Sequence, residues 1–197
     1  IECSAMSAKP MSNIGRGHLL AIPDADTQVA QLLRDGVEAI KEPEIDQIPD
    51  LLKDPRFTFF FDQRISYVYM AIDSQGLAGQ KALTDVRVRK ALFLALDREV
   101  TTKMSAGDVK VAPPKAMCWK PLQAGCDYTV ELPKQNIAEA KRLLTEAGYP
   151  NGFDLQISCY TGTRYTRIST VVAEQFRQIG IRPTIACVPA GTYLKIK

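Results

Sequence analysis

Thr84–Val100, TDVRVRKALFLALDREV, is the stretch that decides the fold. Its apolar residues recur at i, i+3, i+4, i+7 and i+8, which is the spacing of one buried stripe on an α-helix. Either Thr84 or Asp85 is a suitable N-cap, because a short polar side chain accepts a hydrogen bond from the first helical turn. The spacing therefore predicts a core helix whose buried stripe consists of Val88, Ala91, Leu92, Ala95 and Leu96.

Basic residues crowd the first turns of this helix, at Arg87, Arg89 and Lys90. All three lie off the apolar stripe, so we interpret them as the solvent-facing side of a core helix rather than a functional surface. The 197-residue chain has 25 basic and 22 acidic side chains and a net charge of +3. That excess is too small to indicate binding to nucleic acid or to an anionic membrane.

The end of the chain predicts a strand, a helix and a second strand. GFDLQISCY (152–160) and IRPTIACV (181–188) are the strands, and TRISTVVAEQFRQIG (166–180) is the helix between them. A crossover of this length predicts parallel strands with a right-handed connection. Helices and strands alternate along the whole chain, so the predicted fold class is α/β.

A further helix is predicted just before this unit. Asn136 is placed to cap IAEAKRLLTEAG (137–148), with Glu139 completing a capping box and Gly148 ending the helix. Nearer the N-terminus, HLLAIPD (18–24) predicts a strand. A helix beginning near Asp26 follows, with Gly36 as its left-handed last residue.

The middle of the chain is rich in aromatic and β-branched residues. IDQIPDLLKDP predicts a short helix that is stopped by Pro55. The next two segments, RFTFFF (56–61) and ISYVYMAID (65–73), flank the polar pair Asp62 and Gln63. We predict that they form a pair of strands around a turn.

Five cysteines occur in the chain, with Cys3 left over from two candidate pairs. Cys118 and Cys126 lie in a Pro- and Gly-containing loop, residues 105–135, and we predict a small disulfide-closed loop between them. Cys159 and Cys187 lie on the two predicted strands among apolar neighbours, where we interpret them as buried free thiols, with a bridge as the alternative.

No motif for catalysis or metal binding is recognisable. His18 is the single histidine, and the sequence has no CxxC and no clustered acids at ligand spacing, so no metal site is predicted. We interpret His18 as a surface or strand-edge residue. The sequence also lacks GxSxG, a Walker loop and GxGxxG, and Cys118 has no evident histidine partner. No catalytic residue and no cofactor are predicted.

Three segments of the chain follow one another in a recognisable order. They fit D-x-R-V-R-x-A-L-x-x-A-[IL]-D-R-E, then A-K-x-L-L-x-E-A-G-Y-P-x-G-F, then a helix ending I-G-I. In this order they resemble the extracellular solute-binding proteins of dipeptide, oligopeptide and nickel ABC importers, from about residue 9 to residue 197. GVEAI (36–40) departs from that pattern, with Ala39 where an acid is common. The matching residues are Asp85, Arg87, Val88, Arg89, Ala91, Leu92, Ala95, Asp97, Arg98 and Glu99, then Ala140, Lys141, Leu143, Leu144, residues 146–150, Gly152 and Phe153.

The resemblance implies one lobe of a type II periplasmic-binding-protein-like clamshell, with a mixed sheet flanked by helices. Residues 1–197 would be most of the second lobe, starting inside a longer protein, with residues 105–135 as a long loop. Two lobes would close around a solute and present a surface to the transmembrane subunits of the importer. A role for Arg87 or Arg89 at that surface or at the cleft rim is the minor alternative.

The implied activity is capture without catalysis. We expect a monomer that binds di- or oligopeptides in the periplasm, or outside the cell on a lipid anchor, with no nucleic-acid partner. A non-peptide cargo such as a nickel chelate, haem, an opine or glutathione is one alternative. A cytosolic α/β enzyme domain is another.

Three residues are candidates for contact with the ligand. In the turn CYTGTRYTR, Tyr160 could stack on the ligand or shape the cleft wall, and Arg164 could pair with a carboxylate. Trp119 could pack near the entrance. The structural alternatives are a core edge for Tyr160, a solvated first-turn charge for Arg164 and a loop cover for Trp119. In the family, an acid that holds the ligand's amino end commonly lies in a Gly-Trp-x-x-Asp stretch, which would fall beyond Lys197.

Overall fold

The structure is a computed structural model that describes residues 17–41, 43–60, 68–106, 113 and 131–193. The chain divides into two compact units, which meet in sequence between Pro43 and Glu44. Several predictions lie outside the described residues. They concern most of the loop 105–135, the cysteines Cys3, Cys118 and Cys126, and Trp119.

The first unit contains helix α1, Ala25–Leu33. Asp24 caps it by accepting a hydrogen bond from the Thr27 amide at 2.7 Å. Two residues after the end of the helix, Asp35 takes a left-handed φ of 59°. The Gly36 amide then donates to the Gln31 carbonyl at 2.8 Å. The prediction that Gly36 takes the left-handed conformation is therefore wrong by one residue, because the aspartate before it does so.

Residues 18–24 of the same unit have no regular secondary structure, so the strand predicted there is wrong. Leu19 and Leu20 are exposed, and the described part of this unit contains no strand with which they could pair. An apolar run becomes a strand only where a neighbour accepts its backbone hydrogen bonds. His18 is exposed, as expected for a surface residue.

The second unit begins with the short helix α2, Ile48–Leu51, which confirms the helix predicted before Pro55. The strand pair predicted after it is wrong for the residues that are described, because residues 57–60 and 68–73 lack regular structure. Phe60 is 91% exposed, so its aromatic ring lies outside the core on which the strand prediction depended.

The deciding stretch contains two helices rather than one. A 3-10 turn at Lys81–Thr84 leads into α3, Val86–Ala95, and Asp85 caps α3 by accepting a hydrogen bond from the Arg87 amide at 2.8 Å. Leu96 is extended, with φ of −83° and ψ of 119°, and α4, Arg98–Ala106, begins after it. Four residues of the predicted stripe, Val88, Ala91, Leu92 and Ala95, are buried as expected. The fifth, Leu96, lies beyond the end of α3 and is half-buried.

A buried glutamine accounts for the break between α3 and α4. Gln175 is 5% exposed, and its Oε1 accepts a hydrogen bond from the Asp97 amide at 3.0 Å. The Asp97 carboxylate in turn caps α4 by accepting from the Val100 amide at 3.0 Å. Because the Asp97 amide is bonded to a distant side chain, it does not donate to a carbonyl of the preceding turn, and the helix restarts.

The arginines at the start of α3 bond to main-chain carbonyl groups. Arg87 Nη1 donates to the Glu146 carbonyl at 2.7 Å, and Arg89 Nη1 donates to the carbonyls of Leu83 and Thr84 at 2.9 and 2.8 Å. These carbonyls lie at the ends of a helix and a turn, where partners within the helix are missing. Arg87 and Arg89 therefore have a structural role, as expected. Their guanidinium groups bond to main-chain carbonyls instead of only facing solvent.

Helix α5, Ile137–Glu146, confirms the predicted cap and stop. Asn136 accepts from the Glu139 amide at 3.0 Å, and Gly148 takes φ of 90° after the last turn. The reciprocal half of the capping box is wrong, because Glu139 pairs with Arg142 instead. The Asn136 amide donates to the Leu94 carbonyl at 2.8 Å, which ties α5 to α3.

The strand–helix–strand unit is confirmed as β1, Asp154–Tyr160, α6, Thr163–Arg177, and β2, Arg182–Val188. The two strands are parallel, with Asp154 opposite Arg182 at one end and Tyr160 opposite Val188 at the other. Helix α7, Ala190–Tyr193, follows β2. Helices α3, α5 and α6 pack with the strands around one core, whose most buried large side chains are Phe176, Leu92, Leu144, Ile181 and Val88.

Cys159 and Cys187 are joined by a disulfide, with their Cα atoms 4.3 Å apart. The interpretation of these two residues as free thiols is therefore wrong. They are register partners on neighbouring strands, so both side chains extend from the same face of the pair. Neither strand alone reveals this register, which the pairing of β1 with β2 sets.

None of the helices in the described segments has the length and apolar character that a bilayer crossing requires. The longest of them, α6, has 15 residues and carries charged side chains on its outer face.

Replacing Gly152 with alanine should destabilise the protein strongly. Gly152 has φ of 67°, and a Cβ there would overlap the carbonyl group of Gly180. Gly148 has φ of 90° but no atom within 4 Å of an added Cβ, so it is the matched control. We expect Gly148→Ala to cost about 1–3 kcal/mol from backbone strain alone. Gly152→Ala should cost on the order of 4 kcal/mol or more, since the overlap is added.

Urea unfolding of the two glycine variants measures this difference. If both variants lost the same free energy of unfolding, the turns at Gly152 and Gly180 would be free to move apart. That result would contradict the close approach of the two glycines in the structure.

Asp85 should make stability depend on pH in strongly acidic solution. Hydrogen bonds from the side chain and amide of Arg87 lower the pKa of Asp85 from 3.8 to about 2. A lowered pKa in the folded state stabilises the protein above pH 3.8, and that contribution is lost as the pH falls towards 2. Asp85→Asn keeps a capping oxygen but does not titrate. Between pH 4 and pH 2, the midpoint temperature of thermal unfolding should therefore fall less steeply for Asp85→Asn than for the unaltered chain. Parallel curves of midpoint against pH would contradict this.

Candidate functional site

The candidate site is the end of the sheet where β1 and β2 both finish, at Tyr160 and Val188, which we name the carboxyl edge. The Thr161 amide donates to the Val188 carbonyl at 2.9 Å. This backbone hydrogen bond continues the pairing of the two strands one residue beyond the end of β1. Helices α6 and α7 begin directly beyond this edge. In open α/β sheets, ligands bind beyond the carboxyl ends of the strands, because loops and helix N-termini meet there.

Three tyrosines meet at the carboxyl edge, and we name Tyr160, Tyr165 and Tyr193 the tyrosine cluster. The Tyr160 ring lies edge-to-face against Tyr165, with centroids 5.3 Å apart, and is tilted against Tyr193 with centroids 4.3 Å apart. Tyr160 and Tyr193 are half-buried, and Tyr165 is 37% exposed. Tyrosine combines an apolar ring with a hydroxyl group, so the cluster offers both a stacking face and hydrogen bonds.

Arg164 lies in the first turn of α6 and is exposed. Across the segments that the structure describes, its guanidinium makes no hydrogen bond or ion pair. Gly162 is the N-cap of this helix and, having no side chain, supplies no cap hydrogen bond. The positive end of the helix dipole and the arginine charge therefore lie together, an arrangement that attracts a carboxylate.

An open groove of 640 Å³ lies beside the carboxyl edge, between α4 and the first half of α6. Arg167 lines it, but its guanidinium is paired with Asp46 at 2.8 and 2.9 Å. Arg167 is thus engaged within the protein, whereas Arg164 has no such partner among the residues that the structure describes. The remaining residues that line the groove are Met104, Gly162, Thr166, Thr170 and Val171.

The disulfide lies immediately next to the tyrosine cluster. Cys159 precedes Tyr160 in β1, and Cys187 precedes Val188 in β2. Thr166 Oγ1 lies 3.8 Å from Cys187 Sγ, which places the first turn of α6 against the cross-link. The covalent bond therefore joins the two strands one residue before the carboxyl edge.

The described residues contain no group of three or more His, Cys, Asp or Glu side chains that could hold a metal ion. Tyr160 and Arg164, two of the candidates from the sequence, both lie at the carboxyl edge. Trp119 and the Cys118–Cys126 pair lie outside the described residues and stay predictions. Sequence reasoning missed the other two members of the tyrosine cluster, Tyr165 and Tyr193, although Tyr165 is in the same turn and Tyr193 comes soon after the second strand.

Comparison with known proteins identifies the family. Residues 8–197 match the family model of bacterial extracellular solute-binding proteins, family 5 Middle. This chain belongs to that family. The resemblance that was drawn from the three sequence segments is thereby confirmed.

The curated proteins that this chain matches are distant relatives in sequence. Haem-binding protein A of Haemophilus influenzae is 25% identical over 169 residues, which cover 82% of this chain and 29% of that protein. The dipeptide-binding protein of Escherichia coli is 26% identical over 182 residues, covering 88% of this chain and 32% of that protein. The chain thus spans about three tenths of the length of these relatives.

A solved structure supports the fold. The oligopeptide-binding protein AppA of Bacillus subtilis, in complex with a nonapeptide, superimposes with a TM-score of 0.69 and 25% identity. The match covers 88% of this chain and 36% of AppA. The α/β class and the periplasmic-binding-protein architecture are therefore confirmed, and the described sheet consists of the parallel pair β1–β2.

Digestion of the family 5 protein without reduction should release a cross-linked peptide pair. Blocking free thiols first and then cleaving should give one peptide containing Cys159 joined to one containing Cys187, because the two residues are bridged. Mass spectrometry before and after reduction measures this. The same digest reports on Cys118 and Cys126. Recovery of Cys159 and Cys187 in alkylated form would contradict the cross-link.

Proposed function

We propose that this chain is part of the substrate-binding component of an ABC importer, which captures peptides outside the cytoplasm for delivery to a membrane permease. The observation that carries the proposal is the family 5 match over residues 8–197. Curated relatives and solved structures with this fold are binding proteins. The role is capture without catalysis.

Peptide is the favoured cargo. The dipeptide-binding protein of Escherichia coli aligns with 88% of this chain, and AppA was solved with a nonapeptide. A peptide has charged ends and a polar main chain, so its recognition calls for a cation, hydrogen-bonding groups and permissive side-chain pockets. The carboxyl edge offers the first two through Arg164 and the tyrosine cluster.

In this proposal residues 1–197 contribute to the second lobe of a two-lobed protein. The ligand would lie against the carboxyl edge, with the Tyr160 ring as part of the cleft wall and Arg164 paired with the ligand carboxylate. Trp119 would pack near the entrance. The other lobe would close over the ligand by a hinge motion, and the closed form would dock on the transmembrane subunits of the importer.

The proposed location follows from the family, whose members are extracellular solute-binding proteins. We propose a periplasmic monomer, or one anchored to the outer face of the cytoplasmic membrane by lipid. A disulfide such as Cys159–Cys187 persists in an oxidising compartment, which supports a location outside the cytoplasm.

Haem is the second candidate cargo, because haem-binding protein A of Haemophilus influenzae aligns with 82% of this chain. An aromatic cluster suits a porphyrin face as well as a peptide side chain. The two cargoes are separated by direct binding measurements.

A ligand screen on the intact protein tests the proposed function. The panel contains the dipeptide Ala-Phe, the tripeptide Ala-Phe-Ala, haemin and a nickel–histidine chelate, measured by calorimetry and thermal unfolding. A ligand at a hundred times its Kd should stabilise the folded state by about 2.7 kcal/mol. Binding of a peptide is expected. Binding of haemin or the nickel chelate alone would overturn the peptide assignment. If no ligand of the panel binds, the proposal that the protein captures a solute of these classes is overturned.

Arg164→Gln should weaken the binding of Ala-Phe by about tenfold, since a charge-assisted hydrogen bond contributes about 1.5–3 kcal/mol. The loss should vanish for the same dipeptide with an amidated C-terminus, because the partner of the arginine is then absent. Arg142→Gln is the matched control, since Arg142 is an exposed arginine of α5 paired with Glu139 and Glu146. An equal loss for free and amidated dipeptide would remove Arg164 from the carboxylate site.

A further inference from the structure

Helix α6, which begins at the carboxyl edge, lacks the side-chain cap that other helices of the protein have at their N-termini. Asp24, Asp85 and Asn136 each cap a helix by accepting a backbone hydrogen bond through a side-chain oxygen. Gly162 makes no such bond at the start of α6, although α6 is the longest described helix. Its φ of 143° also belongs to a region that other residues rarely adopt. The turn that carries Tyr160 into α6 is therefore held by something else.

The disulfide is the first such constraint. Parallel strands fray from their ends, and only two strands pair in the described sheet. Cys159 and Cys187 are joined at the register position next to the last one, where Tyr160 lies opposite Val188. The covalent bond limits how far the two strand ends can separate at that last position.

Tyr193 is the second constraint. Its ring centroid lies 4.3 Å from that of Tyr160, closer than the 5.3 Å between Tyr160 and Tyr165. Tyr193 is the last residue of α7, which begins two residues after the end of β2, so the position of Tyr193 depends on the end of β2. The cross-link at Cys187 therefore constrains the strand end that leads into α7 and Tyr193, as well as the strand end that carries Tyr160.

We propose that the Cys159–Cys187 disulfide and Tyr193 are positioning elements that hold the Tyr160 ring ready for the ligand, and that reduction of the disulfide weakens solute capture. This inference rests on the proposed function and adds a redox dependence to it. Tyr160 is the residue that touches the ligand. Cys159, Cys187 and Tyr193 act through it.

The reduction step balances with a trialkylphosphine as the reductant. Phosphorus attacks one sulfur, the S–S bond breaks, and two electrons pass from phosphorus to the two sulfurs. Water supplies a proton to each thiolate and its oxygen to phosphorus, so the products are two thiols and one phosphine oxide. Released from the cross-link, the strand ends fray and the Tyr160 ring samples several orientations. Apparent affinity then falls in proportion to the fraction of protein that keeps the competent orientation.

The ring contact is tested with variants of Tyr193 in the intact protein. Tyr193→Leu should weaken binding of Ala-Phe by about tenfold, as expected if the competent orientation falls to roughly a tenth of the population. Tyr193→Phe keeps the ring and should restore affinity. The control is Tyr149→Leu, which removes one ring of a second aromatic pair, with Phe153, whose centroids are 5.2 Å apart. It should lower thermal stability without changing the Kd. An equal loss of affinity in Tyr149→Leu would overturn the proposal.

The cross-link is tested in two ways. Treatment with a trialkylphosphine should weaken the binding of Ala-Phe, and so should the double variant Cys159→Ala, Cys187→Ala, which keeps small apolar side chains at both positions. The loss of affinity on reduction should be smaller in the double variant, where the predicted Cys118–Cys126 pair is the target that remains for the reductant. Unchanged affinity in both the reduced protein and the double variant would overturn the redox dependence.

A spectroscopic measurement reads the position of Tyr160 without a ligand. Fluorotyrosine placed at position 160 should give one sharp fluorine resonance in the oxidised protein, and a broadened or shifted one after reduction or in Tyr193→Leu. An unchanged resonance would overturn the inference whether or not a ligand is found. Failure of the unaltered protein to bind any solute of the panel, with the expected change in the resonance, would overturn the proposed function and leave the positioning established.

Discussion

The parallel pairing of β1 with β2 is the constraint on which the rest of the structure depends. Two parallel neighbours need a long return path, and α6 supplies it by packing its apolar face, with Phe176 fully buried, against the sheet. The same pairing brings both strand ends to one side, where two helices start. The tyrosine cluster forms at this edge because Tyr160 ends β1, while Tyr165 and Tyr193 lie on the two helices that follow the strands.

Local signals in the sequence predicted much of this fold, because caps and glycine stops act within one turn. Asp85, Asn136 and Gly148 perform the roles that their positions indicate. The break after α3 escaped prediction because its cause is Gln175, which is 78 residues away from Asp97 in sequence. The strands predicted for the aromatic segments were wrong for a related reason, since a strand requires a partner that its own sequence does not specify.

The candidate site was half visible in the sequence. Tyr160 ends a strand and Arg164 lies in the first turn of the helix that follows, where ligands bind in α/β proteins, so their position followed from the predicted elements. Tyr193 could be added only after the register was known, because it meets Tyr160 through the end of the neighbouring strand. The disulfide depends on the same register, which explains why reading each strand alone favoured two separate thiols.

The contact between Gly152 and Gly180 has a practical consequence at the opposite end of the sheet. The turns that lead into β1 and β2 touch there, backbone against backbone, so neither has room for an inserted linker. A biosensor that reports lobe closure through a grafted fluorescent domain, or a circular permutation of the chain, therefore belongs at another surface loop, where new termini would not push the two strands apart.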